Sequence, residues 1–297
     1  MNSRRDFLKN LGLTAAGVAL MPSLDLLAAP KNWFDISLAE WSLHKTLFKG
    51  DLKNIDFPEL AAKKFGIYGV EYVNAFFKDK AQDMTYLKDL NNRAKDNGVR
   101  NVLIMIDGEG NLGDEDATKR KQAVENHYKW IDAANFLGCH AVRVNAAGKG
   151  TPEEVKKAVV ESLSTLADYG KKSKISVIVE NHGGISSHGD WLADTLKTVG
   201  KKNCGSLPDL GNFYEYDRYQ GVQDLMPYAK GVSAKTHDFD ANGNETQIDY
   251  ARMLKIVKDA KFKGYIGIEY EGSNISEEAG IFASKNYWSV YVQQFNT

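Results

Sequence analysis

Short apolar runs alternate along this chain with longer stretches in which apolar residues recur every three to four positions. Val102-Leu103-Ile104-Met105-Ile106 is a run of the first kind and reads as a strand buried on both faces. Val155, Val159, Leu163 and Leu166 mark a stretch of the second kind, a helix with one face on a core. The pattern predicts strands at about 34–41, 67–73, 101–106, 140–145, 175–180, 204–209, 231–237 and 264–270. It predicts helices at about 57–65, 83–97, 119–137, 152–172, 190–199, 222–227, 249–260 and 277–293. Thr151-Pro152-Glu153-Glu154 supplies a cap, a proline in the first turn and acids at the positive end of the helix dipole. Asp249 precedes Tyr250-Ala251-Arg252-Met253-Leu254 in the same way. Gly98, Gly138 and Gly170 fall where helices are expected to end and a left-handed residue is wanted.

Strands and helices in this alternation predict an α/β fold, a (β/α)8 TIM barrel in a single domain. The rival is an open, doubly wound sheet with an extra lobe. Such a sheet would more readily bring a glycine-rich phosphate turn after its first strand, and residues 41–56 contain none. The acidic loop 107–118 lacks the spacing and final glutamate of an EF-hand, so a mobile lid or a solvated turn is expected there. There is no internal repeat and no low-complexity linker.

The first residues carry a different signal. Ser3-Arg4-Arg5-Asp6-Phe7-Leu8-Lys9 precedes a weakly apolar, Gly/Ala-containing run from Leu11 to Leu20, then Met21-Pro22-Ser23 and Leu27-Ala28-Ala29-Pro30. A paired arginine, a short apolar stretch and small residues predict a twin-arginine export signal over residues 1–29. The barrel then occupies residues 30–297, and the expected location is the periplasm. The apolar run is too short for a stable membrane anchor. The cleavage site is less clear, because Leu27 is not the small residue preferred before Ala29.

Removing residues 1–29 leaves 268 residues, enough for one large α/β domain. The whole chain has 38 basic and 39 acidic residues, and the leader holds three and two of them, so the remainder carries a net charge of −2. Nothing in that balance suggests a nucleic-acid partner. Cys139 and Cys204, each near a strand start, do not make a disulfide framework and read as buried small hydrophobes, with one bond between them as the alternative.

The candidate chemistry lies at strand ends. Ile178-Val179-Glu180-Asn181-His182, Leu207-Pro208-Asp209-Leu210-Gly211-Asn212, Ala234-Lys235-Thr236-His237-Asp238 and Ile266-Gly267-Ile268-Glu269-Tyr270-Glu271 each set an acid or a histidine where an apolar run stops. A parallel α/β fold gathers such positions at one mouth. Three carboxylates and an imidazole, Glu180, Asp209, Glu269 and His237, make a donor set for a divalent ion. Without a cation, the carboxylates would repel and some would stay protonated. Each could instead be a strand-end acid in a salt bridge, and His237 a capping or core histidine. His182, Asn212, Lys235 and Glu71 are candidates to bind substrate hydroxyls or orient a ligand, or are satisfied polar residues. His44 and Asn145 could line the mouth; His140 reads as structural, and His127 and His188 as surface or capping residues. Trp33, Trp41, Phe76, Phe77, Phe213 and Tyr214 could wall a sugar ring, Trp41 and Phe213 being nearest the strand tops.

With these motifs the chain, over roughly residues 33–293, resembles the xylose isomerase-like sugar phosphate isomerase/epimerase superfamily. The resemblance implies one divalent ion held by Glu180, Asp209, His237 and Glu269, manganese first and magnesium, zinc or cobalt as alternatives. It implies Glu180 and Glu269 as the acid/base pair. The epimerases of that superfamily place a substrate-contacting histidine where this chain has Asn212, and an arginine past the metal histidine, where this chain has Asp238-Phe239-Asp240-Ala241-Asn242. An uncharged substrate is therefore expected rather than a phosphorylated one. The histidines are too few for the multi-zinc site of endonuclease IV.

The implied activity is a metal-dependent sugar isomerase or epimerase, moving a proton next to a carbonyl through an enediolate. The alternatives are a metal-dependent lyase or dehydratase of keto-sugars or 3-keto-glycosides, and a non-catalytic periplasmic sugar-binding barrel. The expected partner is a small sugar or sugar derivative; the oligomeric state is left open.

Overall fold

The computed structural model describes residues 33–294, with side chains to residue 289, and the expected leader lies outside the described residues. Among the described residues there are eight strands: β1 Asp35–Ala39, β2 Gly69–Val73, β3 Arg100–Met105, β4 Ala141–Asn145, β5 Ser176–Glu180, β6 Cys204–Leu207, β7 Val232–Thr236 and β8 Tyr265–Tyr270. They pair in parallel in the order β6-β5-β4-β3-β2-β1-β8-β7. The seam between β6 and β7 is joined by single bridges, Ser206 with Ala229 and Asp209 with Ser233. Pro208 has no N–H to give to a ladder, and β6 is correspondingly short. The result is a nearly closed TIM barrel in a single domain.

The surrounding helices are α1 His44–Lys49, α2 Phe57–Leu60, α3 Met84–Asp96, α4 Ala117–Leu137, α5 Pro152–Lys172, α6 Gly189–Val199, α7 Arg218–Leu225, α8 Tyr250–Asp259 and α9 Glu277–Gln294. α2 runs on into a π-helical turn, Ala61–Phe65. The Thr151–Glu154 capping box at the start of α5 forms as its sequence predicts. Gly98 and Gly138 take left-handed φ values of 67° and 76°. Gly170 does not: it lies inside α5, where a Cβ would stand 2.8 Å from the Ile175 carbonyl, and Lys174 takes the left-handed position instead. The first strand is shorter than expected, because Glu40–Leu43 turns into a 3-10 helix and carries Trp41 off the sheet.

Apolar burial falls mostly between barrel and helices, around Trp130, Tyr72, Phe57, Leu163 and Trp288. A smaller cluster, including Ala39, Leu103, Met105, Ala141, Ile178 and Leu207, packs separately. By strand alternation Ala141 shares a face with Arg143, and Ile178 with Glu180. The apolar packing of that face therefore gives way to charge toward the carboxyl ends of the strands. Cys139 and Cys204 are both free and buried, and burial pushes each thiol up to about 12. Loop 107–118 is not a free lid. Glu109 accepts from Trp130 Nε1 at 2.6 Å, Leu112 is buried, and Gly113 N–H donates to the Ala147 carbonyl at 2.8 Å. No helix among the described residues is long and apolar enough to cross a membrane.

Candidate active site

Glu180 closes β5, Asp209 lies two residues past β6, and Glu269 lies one residue before the end of β8. All three are buried, with carboxylate oxygens within 4.8 Å of one another. This acidic trio could hold a metal ion. Asp209 is aimed by its own turn. Its Oδ1 accepts from the Gly211 and Asn212 N–H groups at 2.8 and 2.7 Å, and its backbone N–H donates to Asn181 Oδ1 at 2.8 Å. Ser233 Oγ stands between two of the acids, 3.0 Å from Asp209 Oδ2 and 2.7 Å from Glu269 Oε2.

Two buried cations sit among these acids. Lys235 Nζ lies 3.8 Å from Asp209 Oδ2, 3.5 Å from Glu269 Oε1 and 3.2 Å from Glu271 Oε2. Arg143 Nε lies 2.8 Å from Glu180 Oε2, an ion pair without hydrogen-bond alignment. Its Nη1 is 2.6 Å from Asp107 Oδ1, which also accepts from Asn145 Nδ2 at 2.7 Å. Asn145 therefore helps hold the acid that holds Arg143.

The electrostatics separate the acids. Burial pushes Glu180 up against the pull of Arg143, and pushes Asp209 up against the pull of Lys235. Burial works the same way on Glu269, but the Lys235 ammonium and the Ser233 hydroxyl outweigh it and hold Glu269 below the usual carboxylate range. Burial alone would lower Lys235; Asp209, Glu269 and Glu271 outweigh it and raise the ammonium's pKa.

Glu71 lies in β2, deeper in the barrel. It accepts from Ser37 Oγ at 2.6 Å, and a Cβ on Gly267 would stand 2.6 Å from its carboxylate. Burial raises Glu71 to about 8. Asn212 is buried and donates to Glu180 Oε1 at 3.1 Å. His182 is exposed at the rim, its backbone N–H on Ser186 Oγ. His237 is half-buried just past β7, its backbone N–H on Glu245 Oε1 at 3.1 Å, and it is not a member of the carboxylate cluster.

Trp41, Phe76 and the exposed Phe48 form an aromatic cluster, with His44 stacked on Trp41 at 4.9 Å. Trp41 Nε1 donates to Glu271 Oε1 at 2.6 Å, which ties the cluster to the Lys235 site. The other candidate aromatics pack elsewhere or stand free of the cluster. Phe77 lies on Trp130, Trp33 on Phe34 and Phe213 against Gly221, while Tyr214 is exposed. His127 is not a surface residue: it is buried in α4, with Nδ1 2.7 Å from the Ala123 carbonyl. His188 occupies the N-cap position of α6, and His140 is half-buried just before β4.

Arg143, Ser233 and Glu271 were not singled out from the sequence. Arg143 had a usable signal: a guanidinium inside the apolar run Ala141-Val142-Arg143-Val144 needs a buried acid as partner.

An eight-stranded parallel barrel with its charged groups gathered at the carboxyl ends of the strands defines the class of this protein. The chain belongs to the Xylose isomerase-like TIM barrel family, whose model matches residues 60–288. The IOLI protein with a bound zinc atom is similar in fold, with a TM-score of 0.71 at 15% identity over 88% of this chain and 99% of that one. The D-psicose 3-epimerase of Clostridium cellulolyticum H10, solved with D-tagatose, gives 0.68 at 13% over 87% and 99%. The 3-keto-D-glucoside 4-epimerase YcjR of E. coli gives 0.62 at 14% over 88% and 100%. At these identities the likeness is one of fold. A stretch of 49 residues, 16% of the chain, is 39% identical to the C-glycoside deglycosidase alpha subunit of Arthrobacter globiformis and spans 14% of that protein's length.

Proposed function

We propose that the protein is an enzyme of the sugar isomerase/epimerase type, which moves a proton on the carbon next to the carbonyl of an uncharged keto sugar or sugar derivative. The observation that carries this is the convergence of Glu180 and Glu269, from strands on different sides of the barrel, into one buried cluster with Lys235 beside them. One carboxylate takes the proton from carbon and the other returns it, to the opposite face or to the adjacent carbon. A cation next to the carbonyl oxygen stabilises the enediolate between the two steps. In this reading Asn212 and His182 meet substrate hydroxyls, and the Trp41–Phe76–Phe48 cluster gives the ring an apolar wall.

A divalent ion, manganese before magnesium, zinc or cobalt, would supply Lewis-acid stabilisation of that oxygen. The donors as they stand do not fit one. Lys235 lies on two of the three carboxylates, Arg143 on the third, and His237 is outside the cluster. The trio takes an ion only with Lys235 displaced, so no step here is routed through a metal.

The test is solvent exchange. Keto sugars and 3-keto-glycosides are incubated with the protein in heavy water and followed by NMR. The parent is expected to exchange the proton beside the carbonyl, and Glu269→Gln to lose at least about 100-fold of that rate with its fold retained. Undiminished exchange in Glu269→Gln would sink the acid/base assignment. No exchange with any keto sugar would favour the sugar-binding barrel.

The names of the C-glycoside deglycosidase subunit and the 3-keto-glucoside epimerase support a second reading. The same deprotonation could expel a group from the β-carbon, giving a lyase or dehydratase of 3-keto-glycosides. Release of the aglycone separates this from epimerisation. Export by a twin-arginine signal in residues 1–29, delivering the barrel of residues 30–297 to the periplasm, completes the proposal. Fractionation and N-terminal sequencing of the mature protein test it.

A further inference from the structure

We propose that the resident cation of this site is the Lys235 ammonium, and that the chain needs no divalent ion. The inference deepens the function proposed above and rests on the carboxylate cluster being the reacting site. Lys235 is 4% exposed on its side chain and reaches two of the three carboxylates an ion would need, at Asp209 Oδ2 and Glu269 Oε1. A divalent ion draws carboxylate oxygens to about 2.0–2.6 Å, which would set it against the ammonium in a medium with little water to screen the two.

The lysine is also held where it is. Gly211 leaves room for its stem, because a Cβ there would stand 3.1–3.2 Å from Lys235 Cδ, Cβ and Cγ. Its backbone carbonyl accepts from the buried Tyr250 hydroxyl. Glu271 Oε2, itself part of a carboxylate fixed by Trp41, takes the ammonium from the outer side. Arg143 holds the remaining carboxylate, Glu180. Each acid of the trio thus already faces a buried cation, and the imidazole that would add a neutral ligand is elsewhere.

Lys235 has the chemistry for the role. An ammonium carries three N–H donors, can hydrogen-bond a developing enolate oxygen, and leaves proton transfer to the two glutamates. As the C–H proton passes to one carboxylate, its electron pair becomes the carbon–carbon double bond and the carbonyl oxygen takes the charge beside Lys235. Reprotonation at carbon from the other carboxylate reverses this. The ammonium remains protonated throughout, and no oxidant or co-reactant is required.

The experiment is metal content and metal binding of the full-length barrel, measured by elemental analysis and by calorimetric titration with manganese and with zinc. The parent is expected to hold less than about 0.1 equivalent after dialysis against each metal and to give no saturable heat. Lys235→Met, which keeps the stem and removes the charge, is expected to take up about one equivalent on the freed carboxylates. If Lys235→Met does not fold, the parent measurement decides alone. A parent that holds one equivalent of divalent ion with Lys235 in place overturns the inference. Because the readout is binding and not turnover, it separates from the function test. A metal-free protein that exchanges no solvent deuterium refutes the reaction and leaves the cation assignment standing.

Discussion

Glu277 and Glu278 are adjacent acids in the first turn of α9, and the structure gives them very different weight. Glu277 is 8% exposed on its side chain and reaches out of its own helix to the start of another. Its Oε1 accepts from the Lys45 N–H at 2.7 Å, and its Oε2 accepts from the Thr46 N–H at 3.1 Å and the Thr46 hydroxyl at 2.6 Å. α1 has no side-chain cap of its own, so this carboxylate supplies the cap from the far end of the chain. Glu278 pairs with Lys64 at the surface, and both partners are well exposed. A hydrogen bond to a charged group contributes about 1.5–3 kcal/mol net, but Lys45 is exposed and water can reach part of the freed edge, so Glu277→Ala should cost about 3 kcal/mol, less than the sum over its three bonds. That corresponds to a fall in Tm of roughly 6–12 °C for a domain of this size. Glu278→Ala should cost about 0–1 kcal/mol. Urea denaturation of both variants, followed by far-UV circular dichroism, gives the comparison. Since α1 carries Phe48 and is preceded by Trp41, tryptophan fluorescence of Glu277→Ala should also change. Equal stability losses in the two variants would refute the trans cap.

Two further outcomes follow from single contacts. A Cβ on Gly221 would stand 2.1 Å from Phe213 Cε1, so Gly221→Ala must displace a buried ring; with about 1 kcal/mol returned by helix propensity, the net loss should be about 1–2 kcal/mol. Because Phe213 follows Asn212, which donates to Glu180, the exchange rate should fall with stability, and an unchanged rate would show that the ring moves independently of the site. Asp107 is held down to about 2, burial working against this and Arg143 and Asn145 outweighing it. A carboxylate lowered in the fold stabilises it above the unfolded value near 3.8 and loses that contribution as pH falls toward 2. Asp107→Asn should therefore flatten the stability profile between those pH values, and a profile identical to the parent's would count against the Arg143 pair.

The strands were legible because a buried parallel strand is a bare apolar run, and the charges that end such runs have few places to go except the mouth. That is why Glu180, Asp209 and Glu269 could be read together. Alternation along a strand puts residues 235 and 237 on one face, but the rule holds only while the strand lasts. β7 ends at Thr236, so beyond it the backbone no longer forces every second side chain inward. Lys235 is inside the strand and joins the acids; His237 is outside it and does not. Trp41 was displaced by the same kind of limit, a strand that turned to 3-10 helix at Glu40. Arg143 was overlooked because it interrupts an apolar run instead of ending one. Glu277 was illegible for a different reason: its partners are more than 230 positions away in sequence, and local pattern carries no trace of them.

The Ser233 hydroxyl couples two acids of the cluster. A serine hydroxyl has one proton, yet its oxygen is within reach of both Asp209 Oδ2 and Glu269 Oε2. The serine is the donor at both contacts, so its one proton is shared between the two carboxylates. Burial raises Asp209, while Lys235 and Ser233 hold Glu269 down, and the shorter of the two contacts is the one to Glu269. Glu269 is the acid held toward its ionised form beside the Lys235 ammonium, and Glu180, raised by burial, is the better proton donor. Two carboxylates with separated affinities for a proton are what a base and an acid working on one carbon require.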